Sequence, residues 1–206
     1  MNIIDFFIHL DEKLGVIIQN YGAWTYGLIF FIIFLETGFI ITPFLPGDSL
    51  LFAAGSFSSK GFLNPISLFL LLSVAAILGD AVNYWVGRRV GKKIFERDRP
   101  LISEDYLKRT ENFYLKHGKK TIIFARFIPI IRTFAPFVAG VSRMPYKEFV
   151  FYNIVGGILW VGLFVFGGYF FGNIPFVEKN FSLVILAIII ISFIPAIVEF
   201  WKHRSS

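Results

Sequence analysis

Long apolar runs broken by short polar clusters set the pattern of this chain. In residues 3–20, Ile3, Phe7, Leu10, Leu14, Ile17 and Ile18 recur at helical spacing while Asp11, Glu12 and Lys13 are polar. That spacing predicts an amphipathic helix lying on a membrane or against a bundle. Residues 21–40, 65–87, 148–172 and 181–201 are apolar over about the 20 residues that span a bilayer, which predicts four full spans. Two further stretches, 41–58 and 121–141, are apolar but broken. The first holds Pro43, Pro46 and Gly47; the second holds Pro129 and Pro136 and ends at Gly140. Each is too short and too interrupted to cross alone. Both are expected to be re-entrant hairpins, because irregular backbone at membrane depth must be buried in protein or line a wet cavity. Between them, 88–120 is polar and strongly basic, with a helix start at Ser103-Glu104-Asp105 and a short surface helix expected to about His117.

Composition agrees with the pattern. Of 206 residues, 56% are hydrophobic and only 17% charged, against about a quarter charged in a soluble domain. The expected fold is all-α and integral to a membrane, with residues 1–206 forming one domain. The start lacks a positive n-region, so no cleaved signal peptide is expected. The absence of cysteine excludes a disulfide framework.

The +6 charge reads as topology rather than as a nucleic-acid signal. With 88–120 in the cytoplasm, the second hairpin enters from and returns to that side, and the first enters from outside. Both termini are then cytoplasmic. Of 20 Lys plus Arg, only Lys60 and Lys179 fall outside, as the positive-inside rule demands. Hairpins from opposite faces, closed similarly by Phe52-Ala-Ala-Gly55 and Phe137-Val-Ala-Gly140, suggest an inverted repeat with a shared site near the midplane.

The broken segments also carry the charges that an apolar environment disfavours. Glu36 lies just before the first, late in the 21–40 span, Asp48 lies within the first, and Arg126 and Arg132 lie in the second. An ionisable residue at the bilayer centre costs about 2.5–3.5 kcal/mol on insertion scales and usually has a partner and a function. Glu36 and Asp48 are candidate proton acceptors. Arg126 and Arg132 keep their protons, and their forked donors suit a phosphate or a carboxylate. The alternatives are a static ion pair locking the hairpins, or Glu36 solvated at the outer interface. Asp80 and Asn83 in the second span are secondary candidates, with a bond to a neighbouring helix as the plainer expectation. Gly87-xxx-Gly91 and Gly168-xxx-Gly172 fit helix contacts. Trp24, Trp85, Trp160 and Trp201 fit interface anchors. His9, His117 and His203 lack a nucleophile partner, and no metal-ligand spacing is visible. No enzyme activity, metal or cofactor is therefore expected.

Three motifs together carry a resemblance: Phe44-Leu-Pro-Gly-Asp48-Ser-Leu-Leu; Gly79-Asp80 with Asn83-Tyr84 and Gly87; and Phe124-Ala-Arg126-Phe-Ile-Pro129-Ile-Ile-Arg132, followed by Ala139-Gly140. Over nearly its whole length the chain resembles the DedA family of bacterial membrane proteins, related to the SNARE-associated or VTT domain. The resemblance implies facing re-entrant hairpins and a lipid-translocating group. Its members are linked to undecaprenyl phosphate recycling, phosphatidylethanolamine movement and proton-dependent envelope homeostasis. The family's acidic pair would map to Glu36 and Asp48, and its arginine pair to Arg126 and Arg132.

The expectation is therefore a proton-motive-force-dependent flippase in the bacterial cytoplasmic membrane. Undecaprenyl phosphate is the leading lipid partner and protons the coupling ion. Pro43, Pro46, Gly47, Pro129, Pro136 and Gly140 serve as hinge or hairpin residues, and a homo-oligomer is left open. Competing readings are a phosphatidylethanolamine flippase or scramblase, a proton-coupled small-molecule or ion antiporter, and a non-transporting scaffold.

Overall fold

The structure is a computed structural model that describes residues 22–39, 47–90, 118–188 and 190–191. The expected amphipathic helix at 1–20, the surface helix at 103–117, Pro43, Pro46, Gly91, Trp201 and the end of the last span lie outside these residues. Among the described residues all regular structure is helical. We number the helices α1 (Trp24–Gly38), α2 (Gly47–Ser59), α3 (Pro65–Val90), α4 (Thr121–Ala125), α5 (Pro129–Val141), α6 (Tyr146–Phe171) and α7 (Pro175–Lys179). Residues 181–188 are helical as well.

Local chemistry sets several of these boundaries. Asn64 caps α3: its Oδ1 accepts from the backbone N–H of Ile66 and Ser67 at 3.0 and 2.9 Å, and Pro65 fills the first helical position, where no N–H is needed. Asp48 lies in the first turn of α2, where a carboxylate meets the positive end of the helix. Pro129 opens α5 behind an extended Ile128. The second broken segment is thus two helices, α4 and α5, joined through Arg126–Ile128. Pro136 lies inside α5 rather than at a break, and withholds the N–H that the Arg132 carbonyl would otherwise receive. Gly140 also lies within α5.

Among the described residues, α3 and α6 alone are long and apolar enough to cross a membrane. Each has 26 residues, roughly 39 Å at 1.5 Å per residue. Their burial is inverted relative to a water-soluble helix. On α3, Ile66, Leu70, Val74, Leu78 and Val82 form an exposed row four residues apart, while Ser73, Asp80 and Asn83 are buried. On α6, Phe151, Leu159, Leu163 and Phe170 are exposed and Asn153 is fully buried. Water would penalise such a surface and hydrocarbon would not.

The chain divides into two compact units. One comprises the described parts of Met1–Ile32, Pro46–Ser73 and Val161–Ser206; the other comprises those of Ile33–Leu45 and Val74–Trp160. In the first, α2 packs on the end of α6. A Cβ on Gly168 would lie 2.8 Å from the Phe52 carbonyl carbon and 3.0 Å from the Ser56 nitrogen, and one on Gly55 would lie 2.9 Å from the Val165 carbonyl carbon. Phe181 meets Phe52 and Phe57, each with ring centres 6.5 Å apart. Lys60 Nζ donates to Glu178 Oε1 at 2.8 Å, and this bond holds the Glu178 carboxyl below its ordinary range. A depressed carboxyl stabilises the fold above its unfolded pKa, so this contribution is lost as the pH falls through the folded pKa.

The second unit repeats the glycine contact between α5 and the end of α3. A Cβ on Gly87 would lie 2.9 Å from the Phe137 carbonyl carbon, and one on Gly140 would lie 2.7 Å from the Arg88 nitrogen. In both units a 13-residue helix and a 26-residue helix exchange backbone contacts. Each helix supplies one glycine and, three residues before it, the carbonyl that the other glycine faces. Bare glycine lets backbones approach where hydrocarbon gives no hydrophobic drive for helix association.

Gly167 and Gly168 make a sharp comparison, because a Cβ on Gly167 would meet nothing within 4 Å. Gly168→Ala is expected to destabilise the protein by about 1–3 kcal/mol through overpacking. Gly167→Ala should be neutral or stabilising by about 0.5–1 kcal/mol from helix propensity. Detergent-titrated unfolding in mixed micelles measures both.

Candidate functional site

The second unit collects most of the buried charge. Its apolar floor is the cluster Tyr84, Ile122, Ala125, Ile131, Ala135, Ala139 and Phe149. Tyr84 stacks on Phe149 with ring centres 4.4 Å apart. Its hydroxyl donates to the Met144 carbonyl at 2.5 Å and accepts from Arg88 Nη1 at 2.8 Å. This ties α3 to the connection between α5 and α6, in which Arg143 takes a left-handed φ of 55°.

Above that floor two arginines each meet a different carboxylate. Arg132, in the first turn of α5, donates through Nη2 to Glu36 Oε1 at 2.5 Å. Its guanidinium carbon also lies 4.8 Å from the centre of the Trp160 ring, a cation–π distance. Glu36 is 2% and Arg132 5% exposed. Glu36 is brought there by a close crossing of α1 and α3: a Cβ on Gly38 would sit 3.4 Å from the Gly79 Cα, and one on Gly79 would sit 2.8 Å from the Phe34 carbonyl oxygen. Asn83, one turn further along α3, donates to the Thr133 carbonyl at 2.7 Å and to the Thr37 carbonyl at 3.4 Å. A single buried amide thus ties α1 and α5 to α3.

Arg126 follows α4 and is 1% exposed. Its Nη2 donates to Asp80 Oδ2 at 2.6 Å and also to Asn153 Oδ1. Asn153 Nδ2 in turn donates to the Ile77 carbonyl at 3.0 Å, so α6 grips both the arginine and the helix that carries its counter-ion. Gly156 and Gly157 lie alongside: a Cβ on Gly156 would stand 3.1 Å from Arg126 Cδ and Nε.

The structure brings Glu36 and Arg132 together, a contact that the sequence left open, and it gives Arg126 a partner in Asp80. Asp80, for which a bond to a neighbouring helix was the plainer expectation, forms a buried ion pair with Arg126 at the C-terminal end of α4. Asp48 is buried in α2 and belongs to the other unit. Pro129 and Gly47 stand at helix starts. Trp160 is fully buried beneath Arg132 and is not an interface anchor, whereas Trp24 and Trp85 are exposed. Asn153, Gly156 and Gly157 were not singled out in the sequence. The available signal was one carboxamide in a 26-residue apolar span, since an amide placed in hydrocarbon needs a partner.

Chemically, the unit holds two buried arginines among its described residues, each paired with a buried carboxylate. Such pairs are strong only while complete. Removing one partner leaves an uncompensated buried charge costing about 3–5 kcal/mol. A guanidinium can also take an external anion, since phosphate offers it the same oxygen geometry as a carboxylate.

Residues 45–170 match the VTT domain family. The chain is 49% identical over 205 residues to "Protein DedA" of Escherichia coli K12, covering 98% of this chain and 94% of that protein. It is 44% identical over 175 residues to an uncharacterized membrane protein of Mycobacterium tuberculosis H37Rv, covering 83% and 76%. It is 34% identical over 187 residues to inner membrane protein YqjA of Escherichia coli K12, covering 87% and 85%. No solved structure matches.

Arg132→Ala and Glu36→Ala are each expected to destabilise the protein by about 3–5 kcal/mol. The double variant should lose clearly less than their sum, because no charge is then orphaned. A double-mutant cycle read by unfolding in mixed micelles checks the coupling.

Proposed function

The chain belongs to the VTT-domain family of DedA membrane proteins, and we propose that it is a proton-motive-force-dependent transporter of a phosphate-bearing lipid in the bacterial cytoplasmic membrane. The leading substrate is undecaprenyl phosphate, carried from the outer to the inner leaflet. The observation that carries the reading is the buried Arg132–Glu36 pair at 2.5 Å. A guanidinium held by a titratable carboxylate is a phosphate site that protonation can free. Protonating Glu36 removes the competing charge, and Arg132 then takes the lipid phosphate; deprotonation restores the ion pair and expels the cargo. Asp48, buried at the start of α2, is assigned the same coupling role.

The helix lengths support the accompanying topology. α2 and α5 have 13 residues each, about 20 Å at 1.5 Å per residue. That is well short of the roughly 30 Å hydrocarbon core, so they suit re-entrant arms, while α3 and α6 suit full spans. The multi-pass arrangement with cytoplasmic termini follows from the basic 88–120 segment. The breaks at Gly47 and at Arg126–Pro129 are the places where the arms would move. A phosphatidylethanolamine flippase would use the same arginines. A small-ion antiporter would use the acids alone. A scaffold would use neither.

Purified protein in liposomes tests the reading directly. Labelled undecaprenyl phosphate is expected to change leaflet faster with a proton gradient than without. Folded Glu36→Gln should lose the gradient dependence, and folded Arg132→Ala should lose transport by about tenfold or more, the worth of a charged hydrogen bond. Gradient-independent movement by the native protein would make it a scramblase. Arg132→Ala transporting normally would remove the assigned role.

A further inference from the structure

The two arginines are not equivalent, and the difference lies in how Arg126 is held. Its contacts converge on one nitrogen: Nη2 donates both to Asp80 Oδ2, at 2.6 Å, and to Asn153 Oδ1. Nε and Nη1 have no hydrogen-bond partner among the described residues, although the side chain is buried. Three N–H donors of a permanent cation are thus unmet, and such donors are expensive to leave unsatisfied in an apolar interior. Asp80 Oδ1 is likewise buried and without a partner.

The α6 backbone runs close beside this edge. Position 156 is glycine where a Cβ would lie 3.1 Å from Nε. The residue after Arg126, Phe127, is 37% exposed and lies in the non-helical link between α4 and α5. The buried edge therefore lies beside an irregular piece of chain that reaches the surface.

We propose that Asp80 and Asn153 work as one positioning pair. They take up Nη2 of Arg126 and turn its Nε–Nη1 edge into a two-pronged receptor for a phosphate oxyanion. This rests on the phosphate-lipid reading above and adds to it two residues and a division of labour. Arg132 trades its ligand against Glu36, whereas Arg126 keeps Asp80 on one nitrogen and binds with the other two. Asp80 sets the strength of binding, because its charge offsets that of Arg126 before any ligand arrives. Asn153 must stay neutral: a second carboxylate on Nη2 would leave the site net negative and repel the oxyanion.

Exchanging the two side chains gives the test, since both touch the same nitrogen and differ only in amide against carboxylate. The probe is dodecyl phosphate, read as the shift in unfolding temperature of purified protein in neutral maltoside micelles. Inorganic phosphate is titrated in parallel. Asp80→Asn is expected to lower the unliganded midpoint and to bind dodecyl phosphate about tenfold more tightly. Asn153→Asp is expected to bind it at least about tenfold more weakly, both changes being of the size of one charged hydrogen bond. The double exchange Asp80→Asn with Asn153→Asp restores the charge and should return affinity toward the native value. Gly156→Ala, which crowds Nε, should weaken binding without changing net charge.

If Asp80→Asn does not fold, Asn153→Asp and the double exchange carry the test. A response to dodecyl phosphate alone assigns a lipid headgroup, and a response to inorganic phosphate assigns the free ion; either supports the two-pronged receptor. A native protein indifferent to both probes overturns it. So does a set of variants that lower the midpoint while phosphate affinity stays unchanged, or a double exchange no better than the singles. Native-like binding with no leaflet movement would sink the transport reading and leave this assignment standing. Transport whose phosphate affinity ignores the exchange at 80 and 153 would do the reverse.

Discussion

The structure depends on neutralising permanent positive charge inside an apolar chain. Arg126 and Arg132 cannot shed their protons, so the surroundings must supply negative charge and hydrogen bonds. Much of the second unit follows from that demand. α1 approaches α3 at Gly38 and Gly79, and Glu36 reaches Arg132. α3 presents Asp80 to Arg126, and α6 adds Asn153 and the flat ring of Trp160. Large apolar residues line the exposed faces of α3 and α6 while the expensive polar ones are turned inward.

Much of this was legible in the sequence, and what was missed had a physical reason. The long spans, the proline-broken segments and the four charges at Glu36, Asp48, Arg126 and Arg132 follow from hydropathy and from the rarity of charge in hydrocarbon. Pairing does not follow from hydropathy. Which carboxylate meets which guanidinium depends on how helices cross, so Asp80 was ranked behind Asp48 although it holds Arg126. Asn153 carries no charge and was hidden by the apolar run around it. Trp160 stands at the middle of its span, away from either interface, and the position of Arg132 shows it serving a cation from within. Pro136 breaks no helix: it occupies the middle of α5, where loss of one N–H bends or loosens a helix without ending it.

The similarity between Phe52–Gly55 and Phe137–Gly140 proved structural. Both segments use their glycine and the carbonyl three residues earlier against a 26-residue helix that answers in kind. The long-helix counterparts, Tyr84–Gly87 and Val165–Gly168, share only the glycine, so sequence comparison had little to detect. Backbone-to-backbone packing constrains one side chain to be absent and leaves the rest free. Repeated architecture can therefore outlast repeated sequence.

That packing also has a consequence for how the chain is made. α5 meets helix ends that are already synthesised when it emerges, because Gly87 precedes it. For the glycine contact of α2 the order is reversed. The surface it needs is Val165–Gly168, and the outer tie from Lys60 reaches Glu178, 118 residues later. Until then the backbone contacts at Phe52, Gly55 and Ser56 are unmade. The packing of α2 is thus completed only after the end of α6 has been made. Long-range closure of this kind is slow, which makes the α2 segment the natural client of whatever assists insertion.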